Sequence, residues 1–205
     1  MKTKSLIKIE GLFSLVGGIG ILIWWIMMPV FLPVADAANN FKNLILDNNW
    51  VVINIIGLVS LLFLTLGFPG FYLKSYEKFN KLGFIGLILA STGLILYTCI
   101  QYYETLIWPA AAQINPELVQ AKGALVSGDS IVLAGLIISG AFLGIGYILF
   151  GIFAIQTKSY SRIPLWFLII GAPVFGNGII FPIRTVGILL YCVGTIWLAN
   201  IIRKT

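Results

Sequence analysis

The sequence predicts an all-α integral membrane protein of six transmembrane helices with both termini on the cytoplasmic side. Three observations carry that reading. The chain of 205 residues is 60% hydrophobic and 10% charged, with a mean hydropathy of +1.03, whereas a soluble domain is about half apolar and a quarter charged. Stretches free of Asp, Glu, Lys and Arg occur at 11–35, 48–73, 82–103, 130–157, 163–183 and 185–202, and roughly 20 apolar residues cross a bilayer as a helix. Basic residues also gather on alternate connections, as the positive-inside rule requires.

The elements follow in order, as one polytopic membrane domain over 1–205 with spans at about 11–34, 50–73, 82–103, 130–156, 164–182 and 186–202. The first apolar run, Gly11 to Val34, exceeds the 7–15 residues of a secretory leader's core and is expected to stay as a span. None of the runs alternates apolar with polar as the strands of an outer-membrane barrel do, so a barrel is excluded. Pro69 and Pro173 are expected to kink the second and fifth spans. Gly17, Gly18 and Gly20, and Gly140, Gly144 and Gly146, suit close helix approach in lipid.

An N-in, C-in arrangement puts Lys2, Lys4, Lys8, Lys74, Lys78, Lys81, Lys158, Arg162, Arg203 and Lys204 inside, ten of thirteen basic residues. Lys42, Lys122 and Arg184 remain outside with Asp36, Asp47, Glu104, Glu117 and Asp129. The net charge of +6 then describes an inner rim facing anionic lipid headgroups of the plasma membrane, with no nucleic-acid partner implied. Lys4-Ser5-Leu6-Ile7-Lys8, Lys74-Ser75-Tyr76-Glu77-Lys78 and Lys158-Ser159-Tyr160-Ser161-Arg162 precede the odd-numbered spans. Their likeness suggests three helical hairpins in parallel repeat.

The outer connections 35–49 and 104–129 are longer than a turn needs. Phe41, Leu44 and Ile45, and Leu118, Val119, Leu125 and Val126, have near-helical spacing there, so these segments are expected to lie on the interface or cap the bundle.

Chemistry is restricted by what is missing. The chain has no His, which removes His relays and HExxH zinc sites. Neither a G-x-S-x-G elbow nor a P-loop is present. Cys99 and Cys192 lie inside spans without a pairing pattern and are expected to pack as small apolar groups. No catalytic residue, cofactor or metal ligand is assigned, and the chain is expected not to be an enzyme.

Polar side chains at membrane depth cost free energy unless they meet a partner, which makes each a candidate. Asn54, Gln101 and Asn177 fall near the outer ends of their spans, at the level of Glu104, Asp129 and Arg184. Tyr97, Gln101, Glu104 and Trp108 share one helical face if the third helix continues through Trp108. Together these eight residues suggest an outward-facing cavity in which Arg184 meets Glu104 or Asp129, with Trp24, Trp25 or Trp50 as walls. In the inner half Ser60, Thr65, Ser139 and Thr195 are expected to bond their own helix carbonyls. The function expected is non-catalytic: binding a small, partly apolar or amphipathic ligand, or moving a solute through that cavity. The alternative is an accessory or sensory subunit that docks a membrane partner protein and has no ligand of its own.

Overall fold

A backbone away from water must satisfy its own N–H and C=O groups, and a helix does so within one segment. The structure, a computed structural model, describes residues 3–34, 41–120, 122–177 and 181–204, and among them there are helices and no strands. Helix α1 (Thr3–Phe31) leads to the short α2 (Phe41–Ile45). Helices α3 (Trp50–Gly67) and α4 (Pro69–Leu73) follow end to end, separated at Phe68 because Pro69 brings no N–H. Helix α5 (Lys81–Tyr102) passes through a π-helical turn, Tyr103–Ile107, into α6 (Trp108–Ile114). A 3-10 turn (Pro116–Val119) and a second π turn (Ala124–Gly128) precede α7 (Ser130–Gln156), α8 (Arg162–Asn177) and α9 (Phe181–Arg203).

Five stretches, Lys4–Phe31, Trp50–Leu73, Lys81–Ile114, Ser130–Gln156 and Ile183–Arg203, are long and apolar enough to cross a membrane. The fifth predicted span, over 164–182, differs. Among the described residues its helix has 16 residues, about 24 Å at 1.5 Å per residue against the roughly 30 Å of hydrocarbon in a bilayer, and residues 178–180 of the expected span lie outside the described residues. The third departs the other way: its helix runs on past 103 to Ile114. The outward faces of these helices carry exposed Ile, Leu and Val, a surface compatible with lipid.

Neighbouring helices form a closed ring in chain order: α1 on α3, α3 on α5, α5 on α7, α7 on α8, α8 on α9 and α9 on α1. Glycine fixes the registers. Gly17 abuts Ser60 and Leu64 while Gly67 abuts Ser14, so α1 and α3 run antiparallel. Gly86 meets Phe150, Gly93 meets Leu143 and Gly146 meets Ala90, which sets α5 antiparallel to α7. A Cβ on Gly146 would stand 2.1 Å from the Ala90 backbone nitrogen, closer than any side chain fits. Gly140 and Gly144, a GxxxG pair, turn to α8 instead, where they meet Gly176 and Pro173.

The ring is filled. Phe68 lies 4.8 Å from Tyr147 and 5.0 Å from Phe150, and the hydroxyls of Tyr147 and Tyr191 share a 2.8 Å hydrogen bond. At one end the Tyr160 hydroxyl, in the turn before α8, donates to the Phe71 carbonyl of α4. Lys74 holds its ammonium 5.3 Å from the Tyr160 ring centre. Burial pushes the Tyr160 phenol above its usual range and the Lys74 ammonium below its own. The opposite end carries Arg184.

Candidate functional site

At the Arg184 end the expected residues fall into three groups. In the first, Asn54 of α3 is an acceptor hub. Its Oδ1 takes hydrogen bonds from Trp24 Nε1 at 3.2 Å and Gln101 Nε2 at 3.0 Å, and its Nδ2 donates to the Trp50 carbonyl at 2.9 Å. Gln101 also donates to the Thr105 hydroxyl, which itself donates to the Gln101 carbonyl. Asn54 and Gln101 are 1% and 3% exposed, and this network joins α1, α3 and α5. Buried amides satisfied in this way hold helices together, because breaking the set strands donors in an apolar interior.

The second group surrounds Arg184. Its guanidinium turns into the bundle, donates to the Tyr97 hydroxyl at 3.3 Å and lies over the rings of Trp25 and Phe175, at 5.6 Å and 5.9 Å. Tyr97 in turn donates to the Phe175 carbonyl at 3.3 Å. Among the described residues no carboxylate comes within 4.0 Å of Arg184. Glu104 is near enough to act on it electrostatically, and no more. Asp129 is engaged elsewhere: its carboxylate is exposed and caps α7, accepting from the N–H groups of Ile131 at 2.7 Å and Val132 at 3.3 Å. Asn177 ends α8, and its side chain lies outside the described residues.

The third group is a cavity. Helices α5 and α7, in contact from Gly83 to Gly93, diverge toward this end, and a Cβ on Gly135 would meet nothing within 4 Å. The space between them is about 330 Å3, within the range of small-molecule sites. Leu96 and Cys99 of α5 and Leu136 and Ser139 of α7 form its walls, Tyr103, Glu104 and Trp108 its upper rim, and Leu125 its cover. Of the eight expected residues, Glu104 and Trp108 line it, while Tyr97, Gln101, Asn54 and Arg184 do not.

The π turn explains why the shared face of α5 divides. Trp108 N–H bonds the Tyr103 carbonyl, five residues back, and Pro109 has no N–H to offer Glu104. The freed Glu104 carbonyl accepts from Trp50 Nε1 at 3.0 Å, and Glu104 is among the residues that line the cavity. Trp108 then stacks 6.3 Å from Trp50 and donates Nε1 to the Leu125 carbonyl at 3.1 Å, tying the second π turn over the space. Phe41 rests against Trp108 at 5.6 Å, and Leu44, Ile45 and Val119 are buried, so the two long connections cap this end.

Sequence reasoning passed over Thr105, Tyr103 and Gly135. No spacing marks a π turn in advance, and a glycine facing a gap reads like one facing a neighbour. Cys99, expected to pack as a small apolar group, is exposed and lines the cavity. Ser60, Thr65 and Ser139 do bond carbonyls four residues earlier, at 2.6, 2.8 and 2.7 Å; the Thr195 hydroxyl does not. Among the described residues no three of His, Cys, Asp and Glu gather as a metal site. No known protein family, curated protein or solved structure matches this chain.

Proposed function

We propose that the chain is a six-span protein of the plasma membrane, both termini cytoplasmic, that binds a small, partly apolar ligand in the cavity between α5 and α7. One observation carries the reading: an apolar space of about 330 Å3 with a single carboxylate on its rim, covered by a loop tied down through Trp108. Antiparallel packing around the ring, together with the basic residues on alternate connections, supports three hairpins of which α8 and α9 form the last. The Arg184 end is then the outer one. Filling of the ring by Phe68, Tyr147, Phe150 and Tyr191 favours binding over conduction.

Gly135 supplies the test, because it lines the cavity and a Cβ there would meet nothing within 4 Å. A ten-carbon alcohol bearing a tail diazirine is photo-crosslinked to the protein in nanodiscs, and labelled sites are mapped by mass spectrometry. Labelling of 96–104 and 132–139 that falls at least about tenfold in Gly135→Leu, with the melting temperature kept, is the expected result. Equal labelling of both proteins removes the ligand site and leaves an accessory subunit. Tags on the termini that react from outside intact cells overturn the orientation.

A further inference from the structure

The cavity's rim also indicates what sort of head its occupant carries. Among the described residues lining it, Glu104 is the one that carries a charge. Among the described residues its carboxylate has no hydrogen bond and no ion pair. The nearest guanidinium, Arg184, is bonded to Tyr97 and lies over the rings of Trp25 and Phe175, near enough to act on Glu104 electrostatically but not paired with it. Two further lining groups are the rings of Tyr103 and Trp108, with centres 6.3 Å apart and planes at 71°. A carboxylate beside two nearly perpendicular aromatic rings is the arrangement that holds ammonium groups, by charge and by the negative faces of the rings. Below the rim the walls are Leu96, Ile100, Leu136 and Ile138, chemistry for a hydrocarbon.

Resting on the ligand reading above, we propose that the site takes a single-tailed amphiphile with a cationic amine head, the head between Glu104, Tyr103 and Trp108 and the tail between α5 and α7. The size agrees. At roughly 30 Å3 per group, about 330 Å3 accommodates about eleven non-hydrogen groups, one short tail and not two full acyl chains. The wall from Leu96 to Tyr103 and from Val132 to Ser139 rises roughly 11 Å at 1.5 Å per residue, the depth of such a tail. Ile138 and Cys99 are exposed on the flank of the bundle, so the cavity opens sideways and the ligand enters along the bilayer.

Three diazirine probes with one seven-carbon tail and different heads, trimethylammonium, hydroxyl and sulfate, test this in nanodiscs of an uncharged glycolipid. At equal mole fraction the ammonium probe labels residues 96–104 and 132–139 about tenfold more than the alcohol, and the sulfate labels least. In Glu104→Gln the ammonium-to-alcohol ratio falls to about one while alcohol labelling persists. A ratio near one in the unaltered protein, or a high ratio that survives Glu104→Gln, overturns the head assignment and leaves the apolar site standing. Alcohol labelling insensitive to Gly135→Leu overturns the site itself. Lysophosphatidylethanolamine, which has one acyl chain, added to the nanodisc separates the sources of the amine: suppression of ammonium labelling assigns a single-chain membrane lipid headgroup, and no suppression a free amphiphile.

Discussion

Helices α5 and α7 meet twice, in two different ways. From Gly83 to Gly93 the backbones are locked together, with Gly86 against Phe150, Gly93 against Leu143 and Gly146 against Ala90. From Leu96 to Glu104 the same two helices stand apart around the cavity, and Gly135 touches nothing. Both halves are apolar and both contain glycine. What separates them is whether the opposite helix offers backbone or empty space, and whether polar groups pull α5 toward α3. In the closed half, dispersion between backbones in contact supplies the cohesion that hydrophobic burial cannot supply in lipid. In the open half, the hub at Asn54 and the Trp50 bond to Glu104 hold α5 on the side of α3, away from α7.

Substitutions can break that contrast, and their expected effects descend. Gly146→Leu removes the largest contact, since its Cβ would overlap the Ala90 nitrogen. Overpacking of this kind costs about 1–3 kcal/mol or more, so the melting temperature in detergent should fall furthest here, while Gly135→Leu keeps it. Asn54→Leu strands the Trp24 indole and one Gln101 donor, at about 1–3 kcal/mol for each unsatisfied group. It should also widen the α3–α5 gap as read by hydrogen exchange at Gln101 and Thr105. Arg184→Ala forfeits the Tyr97 bond and the stacking on Trp25 and Phe175, about 1–2 kcal/mol. Lys42→Ala and Lys122→Ala, both exposed, should leave the stability within about 0.5 kcal/mol of the parent.

The smallest effect expected of a buried group lies at the closed end. Tyr160→Phe deletes the hydroxyl that donates to the Phe71 carbonyl, about 1 kcal/mol. It carries a pH signature as well. Burial raises the phenol's folded pKa above the unfolded value of about 10, so its contribution is complete below that pH and is lost as pH rises through the folded value. Unfolding followed from neutral pH upward should show a shallower alkaline decline in Tyr160→Phe. An identical decline would mean that Tyr160 is ionised with equal ease folded and unfolded.

Much of the helical frame was legible. Trp50 to Leu73 and Ser130 to Gln156 match their expected limits because charge, Pro and the Asp129 cap mark those boundaries in the chain. The third span was cut short at 103 because Glu104 reads as an end, whereas its carboxylate borders a cavity and the helix continues to Ile114. The far end of the fifth, expected over 164–182, falls on residues 178–180, outside the described residues, and α8 is described to Asn177. Of the candidate cluster, the height of Asn54, Gln101, Glu104 and Arg184 along the bundle could be read, since position along a span follows from counting. Their partners could not. Which face each residue takes depends on the antiparallel registers set by distant glycines, and on the π turn that rotates Trp108 relative to Tyr97. Arg184 consequently meets a phenol and two rings in place of the expected acid, and Asp129 caps a helix.

The π turn at Tyr103–Ile107 amounts to one residue of surplus chain wound into a helix without breaking it. Each residue advances an α-helix by about 100°. Excising that surplus residue would therefore return the turn to α-helical pitch and leave the downstream side chains near their places, whereas excising one from the regular part of α5 just before it would swing them all by about a quarter of a revolution. In that second case Trp108 would leave both Trp50 and the Leu125 carbonyl, and the loop it fastens would lose its tether. A one-residue change in length, invisible to hydropathy and conservative in composition, is thus a larger alteration of this end of the molecule than most changes of side chain.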